Sequence, residues 1–593
     1  MITMLAFSSC SGDSATVPDA AETSEATDKN EATEAIGTEV VTAATELSEP
    51  TANKHPEVGT YVLITPETMS GYETETADDF YTYIKRKAAV KLPSEAETTT
   101  GDTANRYEII VGDMQREETA NALAKFDYNQ YGIFISDYKI VITGWTEYTT
   151  RLAAERFNDL LTDILFQDDS GTYHFNLESA EDVVETYEDY IVDFPVIEGT
   201  IRGVYDCADG AYAIFYSDAQ ATDFESYEAA VKADGYTLYT GNTIGSNTYA
   251  TYTKDEKLVH FYYVANAKEL RVIYGHNDTN AALIQTAESN GSVTPGVTLM
   301  PMTYTSAAGG GACIIFTLED GSFIVIDGGW KEETAVLYDT LKALNEEVNG
   351  ADAPIVISAW ILTHAHVDHT GCIYRFSQNH GDEVAVNAIL CNDVAEPQMS
   401  DSKVISYLNA ENLKKVLQYF KTTTGDPTAV MKVHSGQKLT FGGAVLDVIF
   451  THEDMVTQKV GNFNNLNTVI RLQLGGETFF LTADATSSEL KKMLNEIPLE
   501  EFKADFCQVG HHGADSGYKG IYEAVEAKYY LWCNSKKHYI RDTEENKYDW
   551  DMYILENGKE IYLADTYCYT MELPYAEGSA IQWVPGSEKP SEK

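Results

Sequence analysis

An apolar run at Ile355–Leu362 leads without a break into Thr363-His364-Ala365-His366-Val367-Asp368-His369-Thr370-Gly371, and this junction constrains the fold more than any other feature of the chain. Alternate residues at a strand end point the same way, so His364 and His366 can face one cation together. A turn at Asp368-His369 then brings a carboxylate and a further imidazole to a second cation nearby. Imidazole and carboxylate ligands without thiolate suit zinc, manganese or iron. Two such ions about 3.5–4 Å apart can flank an in-line displacement. Core packing does not place three histidines and an aspartate within six residues, because buried charges need partners. Nine of the 13 histidines lie between His364 and His538, which puts the chemistry in the C-terminal half.

Segments on either side fit one shared centre. Ala312–Leu318 and Ser322–Trp330 read as an apolar hairpin about Glu319-Asp320-Gly321 that ends in Asp327-Gly328-Gly329, and Glu332–Val348 reads as a helix. Later, Ile470–Leu474 and Thr478–Leu481 form a second hairpin around Gly475-Gly476 and deliver Thr482-Ala483-Asp484-Ala485. Asp484, at the end of an apolar strand, is placed to bridge two ions. A further strand at Phe506–Gly510 ends in His511-His512-Gly513. Neighbouring strand residues point in opposite directions, so one histidine is expected to be a ligand and the other its neighbour. The assignment taken here makes His511 the ligand and His512 the proton donor or a phosphate contact; the reverse stays open.

The H-x-H-x-D-H spacing with Asp327-Gly-Gly before it resembles the metallo-β-lactamase superfamily over about residues 297–585. The resemblance implies an αββα sandwich with metals at the sheet edges, an α/β fold class for this half of the chain. It implies metal ligands at His364, His366, Asp368, His369, Asp484 and His511, with Asp327 orienting the metal loop and not binding metal. Members commonly have glycine where this chain has Ala483. Many relatives also carry a G-H-T-x-G-H segment that supplies a third imidazole to the first ion; here the place reads Asn464-Asn465-Leu466-Asn467-Thr468-Val469. That pattern, with the later His-His-Gly, resembles the branch containing the hydrolase domains of DNA-uptake competence proteins and the teichoic-acid phosphorylcholine esterases. The resemblance leaves the His364/His366 site open, with Asn465 or Asn467 available to hydrogen-bond a substrate oxygen or water. His434 and His452 are candidates for the lost ligand, with ordinary surface or strand-end histidines as the plainer reading. Cys372 and Cys391 lie in apolar contexts and read as buried thiols.

Ahead of this half lie segments of different character. The opening MITMLAFSSC resembles a bacterial lipoprotein box with Cys10 as the lipidated residue, although Phe7 and the lack of a basic n-region depart from it. Residues 11–58 are acidic, contain no aromatic residue, and read as a self-repelling linker. A length of 593 residues accommodates about three or four domains. Residues 59–190 read as an α/β accessory domain: strand Tyr107–Gly112, helix Glu117–Phe126, hairpin Gly132–Gly144, helix Thr149–Leu165. Part of it resembles accessory domains of secreted bacterial carbohydrate-active enzymes, and Asp113 and Arg116 read as loop charges. Residues 191–278 read as a small α+β unit rich in tyrosine, whose alternation in strands reads first as ordinary half-buried sheet, with stacking on sugars as the alternative. Residues 279–296 read as a linker and 586–593 as a tail.

Composition narrows the function. With 41 Lys+Arg against 93 Asp+Glu, a net charge of −52 repels polyanions, so long nucleic acid is not expected as a partner. Eight scattered cysteines form neither a disulfide framework nor a zinc finger, and no apolar run approaches the roughly 18–20 residues of a membrane span. The expectation is a dinuclear metal-dependent hydrolase, lipid-anchored through Cys10 at the bacterial cell surface, using two divalent ions with zinc favoured. In it Asp368, His512, Asn465 and Asn467 take part in catalysis, and the substrate class is a small or wall-polymer phosphodiester. The contrasting expectations are a surface glycan- or wall-binding lipoprotein with a structural metal domain, and a lactonase- or thioesterase-type hydrolase.

Overall fold

Strands that are apolar on both faces, such as Ile355–Leu362, must be covered on both sides, and the architecture of the C-terminal half follows from that need. The structure, a computed structural model, describes residues 53–587 except 68, 70, 98–104, 113, 115, 127–129, 146, 188–194, 196, 198, 209–210, 277–290, 304–309, 393–409, 452, 454–463, 465 and 515–516. Expectations at Cys10, Asp113, His452 and Asn465, and for most of the 11–58 and 279–296 linkers and the 586–593 tail, fall outside the described residues.

Two facing sheets form the C-terminal half. The first runs in the order Ala429–Lys432, Ala388–Cys391, Ile355–Leu362, Phe323–Asp327, Cys313–Thr317, Gly296–Leu299, Cys568–Glu572, Ile581–Trp583. The second runs Lys438–Phe441, Ala444–Phe450, Val469–Leu474, Glu477–Leu481, Phe506–Gln508, Tyr529–Trp532, Glu560–Leu563. Ile324, Ile326 and Ile361 point inward and meet Leu446, Leu472 and Phe479 between the sheets. Their neighbours Phe323, Val325, Trp360 and Leu362 point outward, under Leu337 and Leu341 of helix Thr334–Asn349 and Phe376 of helix Val367–His380. Period-two alternation thus feeds two cores from one strand. The expected αββα sandwich is what the chain forms, and its parallel strands carry their carboxyl ends to one edge.

On the outer face of the second sheet, helices cover only part of the apolar surface. The small α+β unit covers the rest with an antiparallel sheet ordered Thr237–Ile244, Asn247–Lys254, Lys257–Val264, Glu269–His276, Ala211–Ser217, Thr200–Ala208. Its Phe215, Tyr249, Tyr262 and Ile273 share a core with Ile449, Phe450, Met493 and Ile497 of the C-terminal half. Buried Arg271 donates to Glu496 across this junction at 2.7 Å and to Glu269 at 2.8 Å. The opposite face, with Tyr212, Tyr216, Tyr252 and Tyr274, is closed by helix Ala221–Ala233. Tyr212, Tyr216, Tyr249, Tyr252, Tyr262 and Tyr274 of this sheet are therefore core, and Tyr239 is half-buried against the C-terminal half.

The N-terminal unit has a six-stranded sheet in the order Ser94–Ala96, Val62–Thr65, Glu108–Val111, Lys139–Gly144, Gln130–Ile135, Val183–Thr186. Helices Gly71–Ala88 and Glu147–Ile164 pack on one face through Phe80, Ile84, Phe157 and Leu161. Order begins earlier than the sequence suggests: Val58 and Tyr61 are fully buried, and Phe175 N–H donates to Pro56 C=O. Arg116, expected as a solvated loop charge, turns inward and shares the buried Glu108 carboxylate with Lys139, each at 2.7 Å. Among the described residues no helix is long and apolar enough to cross a membrane.

Candidate metal centre

Asp327 is the last residue of its strand and adopts a left-handed backbone (φ 58°) that turns its carboxylate under the histidine loop. One oxygen accepts from Thr363 N–H at 2.9 Å; the other accepts from Thr363 Oγ1 at 2.8 Å and from His369 Nδ1 at 2.7 Å. Because Thr363 Oγ1 gives its proton to Asp327, its lone pair receives His364 Nδ1–H at 3.2 Å. Both imidazoles are thereby held with their Nε2 lone pairs turned inward, which is how a carboxylate orients metal-binding histidines. Asp327 itself stays outside the cluster, as the resemblance implies.

His366 caps helix Val367–His380, so Asp368 and His369 fall in its first turn. His364 Nε2 lies 3.1 Å from His366 Nδ1. Asp484 follows strand Glu477–Leu481, and its backbone is pinned by Asn467 Oδ1, which accepts Asp484 N–H at 3.0 Å. One Asp484 oxygen lies 3.2 Å from His369 Nε2, and the other 3.4 Å from His512 Nε2 and 3.8 Å from His364 Nε2. His512 Nε2 is also 3.3 Å from Asp368 and 3.3 Å from His369 Nε2. Two clusters result: Asp368, His369, Asp484 and His512; and His364, His366 and Asp484.

These residues fit cations. His512 donates Nδ1–H to Cys533 C=O at 2.8 Å, so its Nε2, like that of His369, offers a lone pair. Two lone pairs and two carboxylates converge here, with His369, Asp484 and His512 buried and only Asp368 partly open to solvent, and one buried Asp484 oxygen has no hydrogen-bond partner. Such a cluster requires positive charge. Titration directions agree: burial alone would lower both imidazoles, but the adjoining carboxylates outweigh it, raising His369 well above its ordinary value and His512 to about 10. Burial opposes ionisation of Asp368 and Asp484 as well, yet these imidazoles hold both carboxyls below the carboxylate range. His364, farther from the carboxylates, is lowered by burial.

The last strand departs from the side-to-side alternation expected of the two late histidines. They do not alternate as strand residues, because both adopt left-handed backbone (φ 45° and 57°) in a turn after Phe506–Gln508. His512, assigned from sequence as the proton donor, brings its Nε2 into the cluster with Asp368, His369 and Asp484. His511, assigned as the ligand there, lies 3.9 Å from Asp484 and 3.1 Å from Asn464 Nδ2. With Asp327 and Ala483 (φ 49°), four of the ten described non-glycine residues at positive φ are at this centre, so backbone strain is concentrated here. That strain is absent from any strand-period reading.

Asn467 is spent on structure, since its amide also donates to Asn464 C=O and to Glu489 at 3.3 Å. Asn464, which sequence reasoning did not single out, faces His511. His434 is not in the cluster: it pairs with Glu453 at 2.9 Å and stacks on His260 of the α+β unit. Cys372 and Cys391 are buried, and burial pushes the Cys372 thiol up to about 12.

Glu489 supports the Asp484 loop by accepting from Thr486 N–H at 2.7 Å and from Asn467. Burial outweighs these donors and pushes its carboxyl up to about 8. A raised carboxyl contributes stability that is full below its unfolded pKa and lost as pH rises toward the folded value. Glu489→Gln keeps an acceptor but cannot ionise, so its stability should fall less between about pH 5 and about pH 8, by up to about 1.4 kcal/mol per pH unit. Denaturation midpoints of both proteins across that range check this; parallel curves would show that Glu489 does not carry the charge effect.

The family model of the metallo-beta-lactamase superfamily matches residues 307–402, which include the whole H-x-H-x-D-H segment. Among solved structures, the chain is similar to a metallo-β-lactamase with a HARLDQ motif from Cronobacter sakazakii (14% identity, 38% of this chain and 78% of that chain, TM-score 0.21). It is also similar to Zn²⁺-bound PqqB from Methylobacterium extorquens (9% identity, 36% and 72%, TM-score 0.22). A third similarity is to a GH138 enzyme targeting pectin rhamnogalacturonan II (13% identity, 21% and 15%, TM-score 0.14). No curated protein matches the chain.

Proposed function

We propose that the C-terminal half is a dinuclear metal-dependent hydrolase acting on phosphodiesters at the bacterial cell surface. One observation carries the reading: six side chains, His364, His366, Asp368, His369, Asp484 and His512, form two ligand clusters that share Asp484. Nitrogen and oxygen donors of this kind suit zinc, with manganese or iron as other occupants. When bound, two such ions supply Lewis acidity and a water acidified toward neutral pH.

The chain's own residues supply the rest. Asp327 and Thr363 hold the imidazole tautomers, and Asn467 with Glu489 holds the Asp484 loop. Buried carboxylates keep the centre anionic enough to retain cations. Asp368, with its side chain 21% exposed, and His511, at 22%, mark the side of the centre that is open to solvent, from which a substrate would approach. The phosphodiester class rests on the sequence resemblance to the phosphorylcholine esterase branch, and the charge of −52 favours a cationic or neutral head group over a polyanion. Burial of the tyrosines weighs against the glycan-binding alternative. Metal content of purified protein, followed by turnover of bis(p-nitrophenyl) phosphate against a β-lactam and a thioester, tests the reading. A metal-loaded protein that prefers either competitor would overturn the phosphodiester class.

The surface location rests on Cys10 and the acidic stretch behind it. With Cys10 lipidated, extraction from membranes should need detergent, and Cys10→Ser should move most of the protein to the soluble fraction. Equal partitioning of the two proteins would remove the anchor.

A further inference from the structure

The two clusters are unequally furnished. Among the described residues, and apart from the shared Asp484, one has three donors of its own, Asp368, His369 and His512, and the other has two, His364 and His366. The turn that carries His512 also carries His511. In a strand, adjacent side chains diverge to opposite faces; here two consecutive left-handed residues bend the chain so that both rings approach one carboxylate. Measured to the same Asp484 oxygen, His512 Nε2 stands at 3.4 Å, His364 Nε2 at 3.8 Å and His511 Nε2 at 3.9 Å. The His511 and His512 ring centroids are 6.1 Å apart, so the rings flank that oxygen without stacking on each other.

Resting on the dinuclear reading above, we propose that the tandem histidines are divided between the ions: His512 serves the Asp368/His369 half, and His511 supplies the third donor to the His364/His366 half. Each ion then has three donors of its own beside the shared carboxylate. Asn464 is the positioning residue. With its Nδ2–H donating to His511 Nε2 at 3.1 Å, the ring is held with a lone pair on the nitrogen nearest Asp484, the form a ligand needs. A divalent cation replaces that amide hydrogen on the same lone pair. The backbone strain at both positions has its function here, since relaxing either residue to strand geometry would turn one ring away.

Metal-free protein titrated with Zn²⁺, with bound metal counted by elemental analysis and affinity read by calorimetry, tests the division. Wild type should take up two equivalents. His511→Gly and His511→Asn, both tolerant of left-handed backbone, should retain one tight equivalent and bind the second at least tenfold more weakly. His512→Asn should also lose one, but a different one. Adding His364→Ala to His511→Asn should cost no further equivalent, whereas adding it to His512→Asn should abolish tight binding. Co²⁺ in place of Zn²⁺ should give different ligand-field spectra for the ion retained by His511→Asn and that retained by His512→Asn. Two wild-type-like equivalents in both His511 variants would overturn the division and leave the dinuclear reading standing. A wild type that binds no zinc would overturn both.

Discussion

Asp484→Ala is expected to empty both metal positions at once and to lower turnover of bis(p-nitrophenyl) phosphate by about 10³-fold or more. Asp484 is the only residue common to the two clusters, and its two oxygens reach His369, His364 and His512. Losing a ligand held by one ion should leave the other bound; losing the shared one should not. Charge acts in the same direction. With Asp484 gone, His369 and His512 face each other across 3.3 Å with only Asp368 left among the cluster's carboxylates to offset a cation. Asp484→Asn keeps the shape and one oxygen, and should therefore fall between wild type and Ala in zinc content. Elemental analysis of the three proteins purified in parallel checks the order. Retention of both ions in Asp484→Ala would show that the clusters do not share a ligand.

Arg271→Ala is expected to destabilise the junction between the α+β unit and the C-terminal half by about 3–5 kcal/mol. Arg271 is 1% exposed, donates to Glu269 and with two nitrogens to Glu496, and lies over Phe215 and Tyr262. Removing it leaves two carboxylates in a site closed to water and an opening beside two aromatic rings. Burial would raise Glu496, but Arg271, with help from Lys492 at 2.7 Å, holds it below its ordinary value, so the loss should grow as pH rises and this carboxylate ionises without Arg271. Pairing Arg271→Met with Glu496→Leu removes charge and partner together and should recover part of the loss. Chemical denaturation followed by tryptophan fluorescence measures each, and a change below about 1 kcal/mol in Arg271→Ala would mean that the junction is held by its apolar contacts and other hydrogen bonds, not by this ion pair.

Much of the centre was legible before the fold was seen, because metal chemistry leaves short-range marks. His364, His366, Asp368 and His369 lie within six residues, and the strand ahead of them is apolar enough to be read as fully buried. Asp484 was legible from its place after an apolar hairpin. The late histidines were legible as a pair but not in their roles: the strand rule separates adjacent side chains, and nothing in the letters His-His-Gly announces two left-handed residues in succession. Asn467 was legible as polar and near the site, but not as a buried brace between Asp484 and Glu489, since that depends on a helix 22 residues further on.

The accessory regions divide the same way. In the N-terminal unit the strand, helix, hairpin and helix between 107 and 165 follow from local periodicity and lie within a few residues of expectation, whereas the edge strands Ser94–Ala96 and Val183–Thr186 carry no such periodic mark. Whether a tyrosine is exposed is not a local property. Tyr212 and Tyr252 are closed off by a helix, while Tyr249 and Tyr262 are closed off by residues near positions 450 and 493. Likewise His434 is withheld from the metal centre by stacking on His260, contributed by another unit. By itself the sequence determined the buried strands, the strand ends at which the chemistry gathers, and the donor types, because hydrophobic period and ligand spacing act over a few residues; the αββα arrangement of those strands entered only through the family resemblance. Only the tertiary structure decided which imidazole faces which carboxylate and which aromatic face is covered, because those outcomes rest on contacts between segments far apart in the chain and on a strained turn that such contacts sustain.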